Sequence, residues 1–508
     1  MKAFLMHRDR DFDVKAELPW NHQVLTEDLA LDTLFDAMAG GDVFLRVVAQ
    51  CAILTGVNGN DDTIHYRHDV LVDCLANPAV FRELYNIAVG TIGPKAKSSW
   101  YWFGNQPSAT LHQAVDKLQV LMERLAILRS VADRHSATFH SEGIRNLFAM
   151  LRRELDDGYL ASVSRHLERL NFKNGVLVSA ALGRGNKGTG YVLRKPLPDT
   201  RLWYEKLFGW GQEGLTFTLP PRDESGSRAL ADLSDRGLDL VANATAHAVD
   251  HINSFFDMLR LELAFYVGCL NLHERLERLG APSTFPSPLA PPLKQCQFAD
   301  LYDACLALNL GSTVVGNDFD GDGRLLVLIT GANQGGKSTF LRSVGLAQLM
   351  MQAGMFVPAK AFKASLCSGV LTHYKREEDN SMRSGKLDEE LSRMSEIMNH
   401  YSSDALLLFN ESFAATNERE GTEIARQIVG TLLDDRARMF FVTHMFEFAN
   451  GFAEEARPGV AFLRAERRDD GSRSFKLIEA EPLRTSFGED LYRDVFVMSA
   501  EGARQLTV

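Results

Sequence analysis

The sequence predicts a mainly α-helical N-terminal part with a small β insertion, followed by an α/β sheet domain at the C-terminus. Three observations predict it. A glycine-rich turn near residue 331 joins a strand-like run to a helix-like one, heptad-spaced apolar residues run on to about residue 280, and strand-like and helical runs alternate over residues 293–508.

The turn reads GANQGGKST from Gly331 to Thr339 and satisfies the pattern G-x-x-x-x-G-K-[S/T]. Leu325 to Ile329 (LLVLI) precedes it as a buried strand, and Phe340 to Met351 follows it as a helix. This is the context of a P-loop. Gly331, Gly335 and Gly336 let backbone N–H groups face inward around phosphate oxygens, and the following helix offers its positive end. Lys337 reaches the terminal phosphates and Ser338 can bind Mg²⁺. The nucleotide site is therefore expected along Gly331, Ala332, Asn333, Gln334, Gly335, Gly336, Lys337, Ser338 and Thr339.

Composition bounds the rest. A chain of 508 residues, 45 % of them hydrophobic, can bury large cores, and its length suggests about three units. The formal charge of −11 argues against indiscriminate coating of nucleic acid but leaves room for a local basic surface. Cys51, Cys74, Cys269, Cys296, Cys305 and Cys367 are scattered without a C-x-x-C pair, which predicts neither zinc nor a disulfide framework and fits a reducing cytoplasm. The N-terminus MKAFLMHRDRDFD breaks into charge too early for a secretory signal. No apolar run reaches the ~18 residues of a membrane span, so a soluble protein with no membrane partner is expected.

Along the chain, Leu111, Val115, Leu118, Met122, Leu125 and Leu128 are spaced as on an amphipathic helix. Val176 to Ala180 and Gly190 to Leu193 read as strands joined by the turn GRGNKGTG. From near Ser227, the positions Leu238, Ala242, Thr245, Val249, Ile252, Phe256, Leu259, Leu263, Tyr266 and Leu270 keep a heptad, and a helix reaching Gly280 would be roughly 75 Å long. Such a helix reads as a lever or coiled-coil arm, or as a buried helix of an all-α domain. The proline-dense Phe285 to Pro292 (FPSPLAPP) is expected to mark a domain boundary. The predicted parts are helical residues 1–172, a β element at 173–226, a long helix at 227–284 and an α/β domain at 293–508.

Hydrolysis needs acids beside the phosphates. Ala405 to Glu411 (ALLLFNE) supplies a second strand ending in Asn410-Glu411, where most such enzymes carry Asp-Glu. The Mg²⁺-side position, Asn410, is thus neutral, while Glu411 is expected to orient or deprotonate the attacking water. A third strand, MFFVTHMFEF, ends at Thr443-His444. Alone, His444 reads as a surface or capping residue; beside the other two strands it reads as a donor to the γ-phosphate.

These blocks resemble the MutS family of DNA mismatch-repair ATPases. The similarity runs through LLVLITGANQGGKSTFLRSVGLAQLMMQAGMFVPA (Leu325 to Ala359), LLLFNESFAATNEREG (Leu406 to Gly421), FVTHMFEFA (Phe441 to Ala449) and PLRTSFG (Pro482 to Gly488). TIHYRHDVLVDCLANPAVFREL (Thr63 to Leu84) is similar to the start of the family's helical core. The resemblance implies an α/β P-loop NTPase of the ABC-ATPase type at the C-terminus. Before it would lie a mainly helical core and lever domain with a small β clamp-like insertion. VVGND (Val314 to Asp318) resembles the family's adenine-side V-P-N-D block and implies that Asn317 lies near the base. The family further implies ATP and Mg²⁺ as cofactors, DNA as a partner and a homodimer formed through the ATPase domain. The family's mismatch-reading F-x-E occurs here only as Phe81 to Glu83, inside a helix-like segment, so a chain without the mismatch-reading domain is expected. The partner-completing loop would fall in Ser381 to Met394, with Ser384 as its substitute serine.

Gly183 to Gly188 satisfies G-x-G-x-x-G but precedes a strand, which argues against a dinucleotide site and for a hairpin tip. Its Arg184 and Lys187, with Arg194 and Lys195 behind, read either as contacts to a DNA backbone or as a solvated basic loop. Asp318, Asp320 and Asp322 imitate a calcium loop, but the twelfth position is Ile329, so a turn is the better reading. Trp100 to Phe103 (WYWF) reads as core packing or base stacking. The expected function is ATP-controlled DNA binding of repair or recombination type. The rival is an ATP-binding switch or assembly factor with weak hydrolysis that engages proteins.

Overall fold

The computed structural model describes residues 1–56, 61–92, 106–172, 175–195, 218–220, 222–376, 385–468 and 470–484. The chain forms two compact units. One holds Met1–Ala3, Arg82–Phe139 and Ile144–Arg260; the other holds Phe4–Phe81, His140–Gly143 and Leu261–Val508.

In the first unit the helix Pro107–His135 opens on a proline and closes on Arg134 and His135, residues that suit the two ends of a helix dipole. Its predicted stripe is the buried face: Leu111, Val115, Leu118, Leu125 and Leu128 are all inside. Asp156 caps the next helix, Asp157–Leu170, by accepting from the Tyr159 N–H. Strands β1 (Leu177–Leu182) and β2 (Gly188–Arg194) pair antiparallel with a bulge between Ser179 and Ala181. The G-x-G-x-x-G run is their turn, with Gly185 at φ 68°, a conformation that favours glycine. No helix follows that turn, as a dinucleotide fold would require.

The heptad residues lie on one 55-residue helix, Glu224–Arg278, about 80 Å long. All of its predicted heptad positions are buried except Ile252, which is half-buried. Its residues up to Arg260 belong to the first unit and those from Leu261 to the second.

Among its described residues the second unit holds ten strands. β3 (Ser287–Leu289), β4 (Cys296–Leu301), β5 (Asn317–Asp320) and β7 (Ala361–Ser365) form one sheet in the order β3-β7-β4-β5. β6 (Leu326–Gly331), β8 (Val370–Tyr374), β9 (Leu406–Asn410), β10 (Arg438–Val442), β11 (Val460–Arg467) and β12 (Arg473–Glu479) form the other, ordered β12-β11-β6-β10-β9-β8. From β11 to β8 its neighbours are parallel, and only β12 is antiparallel. Helices cover the faces, so β6, β9 and β10 read as unbroken apolar runs, and Phe409 stacks on Phe441 with centroids 5.0 Å apart.

Two expectations are corrected here. The proline-dense segment is not a break: β3 lies inside it and pairs with β7, and Thr284 bridges to Val357. Proline lacks the N–H a central strand needs, but β3 is an edge strand and tolerates it. Residues 1–172 are also not one helical part, because Phe4–Phe81 belongs to the second unit. A buried carboxylate explains this. Glu262 accepts the backbone N–H groups of Leu5 and Phe12, while the hydroxyls of Tyr266 and Tyr66 donate to the carbonyls of Leu5 and Phe4, each at 2.6 Å. Arg67 donates to Met6 O and Ala353 O at 3.0 Å. Phe81, of the predicted F-x-E, is fully buried in the helix Pro78–Ile92 and packs edge-on against Tyr266.

Candidate nucleotide site

The site grows from three parallel strand ends. At the end of β6 the chain turns through Gly331 (φ 107°), Gln334 (φ 57°) and Gly336 (φ 87°) into the helix Lys337–Gln352. Glycine is required at 331 twice over, by its φ and because a Cβ there would come within 2.8 Å of the Ala465 nitrogen on β11.

Lys337 is 5 % exposed and folds back over the turn, donating to Gly331 O at 3.1 Å and Ala332 O at 2.9 Å. Burial lowers its pKa to about 8, against the pull of Glu411 and with help from Arg473. Ser338 donates to Asn410 Oδ1 at 2.9 Å, joining the helix start to the end of β9. Glu411 follows at φ 56°, held by its N–H to Val442 O at 2.9 Å. Its carboxylate lies 2.9 Å from His444 Nε2, and this hydrogen bond holds it below the usual carboxylate range against the opposing effect of burial. The Thr443 N–H donates to Ile329 O, which fixes the strand end that presents His444.

Lys337, Ser338, Glu411 and His444 face one cavity of about 560 Å³, lined also by the rest of the turn from Asn333 to Thr339 and by Asn317 and Phe475. Asn317 is on the cavity wall, but its amide is engaged. Its Oδ1 accepts from Leu477 N at 2.7 Å and its Nδ2 donates to Phe475 O at 3.4 Å, so it pins β12 to the wall. Phe475 and Arg473 are functional candidates that sequence reasoning missed. Phe475 is 49 % exposed at φ 60° and lines the cavity, and Arg473 Nε donates to Asn333 O at 3.2 Å. They sit in a hairpin without a motif; only a lone aromatic amid polar residues hinted at the first.

Among the described residues no cluster of three His, Cys, Asp or Glu could hold a metal ion. Ser338 Oγ and Asn410 Oδ1 are two neutral oxygens 2.9 Å apart. Such a pair suits Mg²⁺, which takes few ligands from protein and the rest from phosphate and water. Arg184, Lys187, Arg194 and Lys195 are exposed on the β1–β2 hairpin and do not line this cavity. Arg194 Nε donates to Ser179 Oγ at 2.9 Å. Ser384, Trp100 to Phe103 and Thr485 to Gly488 lie outside the described residues.

Comparison with known proteins decides the kinship. Residues 59–279 match the model of the MutS2 N-terminal domain, and residues 327–495 match MutS domain V. The chain belongs to the MutS family. Similar to it is the DNA mismatch repair protein MutS of Leptospira interrogans, 28 % identical over 323 residues, which cover 60 % of this chain and 37 % of that protein. The MutS of Nostoc punctiforme is 37 % identical over 123 residues, covering 24 % of this chain and 14 % of the relative. That of Myxococcus xanthus is 33 % identical over 154 residues, covering 30 % and 17 %. The chain thus spans little more than a third of the curated MutS proteins at most. The helical half of this MutS-family chain matches a model drawn from MutS2, and the sheet half one shared by MutS proteins. No helix among the described residues is long and apolar enough to cross a membrane.

Proposed function

We propose that this chain is a MutS-type ATPase of the ABC-like P-loop class whose nucleotide state controls a grip on DNA. The observation that carries the proposal is the convergence of Lys337, Ser338 and the Glu411–His444 pair on one cavity, with Asn410 hydrogen-bonded behind Ser338. ATP enters with its phosphates against the Gly331–Lys337 turn, where Lys337 exchanges two carbonyl partners for phosphate oxygens. Mg²⁺, when held by Ser338 and Asn410, supplies charge neutralisation between the phosphates. Glu411, kept ionised by His444, orients the attacking water, and His444 donates toward the γ-phosphate. DNA is gripped through Arg184, Lys187, Arg194 and Lys195 on the hairpin. The long helix links that unit to the nucleotide unit, and the active form is a homodimer joined through the ATPase domain.

A second reading has a specific observation behind it. With the neutral Asn410 beside Ser338, the site holds nucleotide but turns it over slowly, as an ATP-binding switch or assembly factor does. Steady-state turnover and equilibrium ATP binding by the parent and by Glu411→Gln test the main reading. The variant is expected to keep ATP affinity and to lose turnover by the roughly 10²- to 10⁴-fold attributed to general acid–base groups. Equal turnover in both would remove Glu411 from the reaction.

A further inference from the structure

The turn that carries Glu411 is gripped from behind. His373, on β8, is 1 % exposed, with Nδ1 2.7 Å from Ser412 Oγ and Nε2 3.0 Å from the carbonyl oxygen of Glu390 in the helix Lys386–His400. Burial, reinforced by Arg393 and Arg376, pushes the imidazole down to about 4, so it carries a single proton at neutral pH. The carbonyl of Glu390 can only accept, which puts that proton on Nε2. The single proton of the Ser412 hydroxyl then lies between two acceptors of His373, the main-chain carbonyl oxygen at 2.6 Å and Nδ1 at 2.7 Å, so main chain and ring of His373 both hold Ser412. The ring also lies over Phe413, with centroids 5.3 Å apart and planes 22° from parallel. Glu411 and Phe413 flank Ser412 at φ 56° and 63°, a left-handed pair without glycine. Such conformations persist only where the surroundings over-determine them.

We propose that His373 is a positioning residue for the reaction at Glu411: the relay from Ser412 through the imidazole to the Glu390 carbonyl holds the Glu411–Phe413 turn so that the carboxylate stays paired with His444 and turned to the cavity. The proposal rests on the hydrolytic reading above. It also makes the helix Lys386–His400 a lever on catalysis, because moving Glu390 moves the ring. The Glu390 carboxyl sits at the same turn, raised by burial and drawn back by the N–H groups of Ala415 and Phe413.

Turnover by His373→Ala, His373→Asn, Ser412→Ala and the His373→Ala/Ser412→Ala double variant tests it. Each alanine variant should lower kcat by up to about 10²-fold, the cost of a misplacement of about 1 Å, with KM for ATP unchanged. His373→Asn should recover part of the loss, and the double variant should be no worse than the poorer single one. Should His373→Ala fail to fold, Ser412→Ala, which deletes one oxygen, decides. Unchanged kcat in folded Ser412→Ala overturns the proposal, as does additive loss in the double variant. A second readout needs no nucleotide. In labelled protein, His373 should show the Nε2–H tautomer by ¹⁵N NMR; the Nδ1–H tautomer would break the link to the Glu390 carbonyl and overturn the relay. A parent without turnover would sink the hydrolytic reading alone, and the tautomer result would then judge His373.

Discussion

Lys337 is the residue on which the proposed phosphate site turns, and its burial gives a pH signature. Its folded pKa of about 8 lies below the usual lysine value of 10.5, so without nucleotide the native chain sheds this proton as pH passes 8 while the unfolded chain keeps it. Between about pH 8 and 10.5 this group's contribution to stability therefore rises with pH. ATP works in the opposite sense, because phosphate favours the charged ammonium. Calorimetric titrations should show ATP affinity steady below pH 8 and falling toward tenfold per pH unit above it. A flat profile from pH 7 to 9.5 would place the phosphates away from Lys337. At Asn410, substitution by Asp restores a carboxylate beside Ser338, and metal titrations should show tighter Mg²⁺ dependence with equal or higher turnover. An identical Mg²⁺ response and rate would take the physical basis from the slow-switch reading. Lys337, Ser338, Asn410, Glu411 and His444 could be read in the sequence because each sits at a fixed offset from an apolar strand that announces itself. His373, Phe475 and Arg473 could not be read. His373 is a polar residue inside a strand whose partners lie 17 and 39 positions away, and the other two depend on where a hairpin folds back.

Among the elements, the hairpin β1–β2 is the DNA-contact candidate, with Arg184 and Lys187 at its exposed tip. Phosphate contacts give affinity without sequence information. Removing both charges should weaken duplex, mismatched, branched and single-stranded DNA alike. It should shallow the slope of log K against log salt by up to about two units, near 0.9 per lost contact. An unchanged slope would move the DNA surface elsewhere. The long helix and the central strands were legible because period 3.5 or an unbroken apolar run marks them over many residues. The N-terminal segment was not. Its place is set by Glu262, 250 and 257 positions away from the N–H groups it accepts, and a buried glutamate inside a helix has no local signal. Phe285 to Pro292 misled because proline marks edge strands as well as linkers, and only the pairing of β3 with β7 tells them apart.

For the whole molecule, kinship with MutS and the nucleotide cavity in the second unit give the proposal its shape: ATP in one unit, DNA on the other, two copies joined through the ATPase part. The central claim is that nucleotide controls the grip on DNA. Fluorescence anisotropy of labelled duplex and branched DNA, at one fixed salt concentration with and without ATP and Mg²⁺, tests it in the parent and in Lys337→Ala. The parent should bind DNA with an affinity that changes when ATP is added, and folded Lys337→Ala should bind DNA but ignore ATP. A parent whose DNA affinity is the same with and without ATP, or a variant that responds as the parent does, would contradict the account.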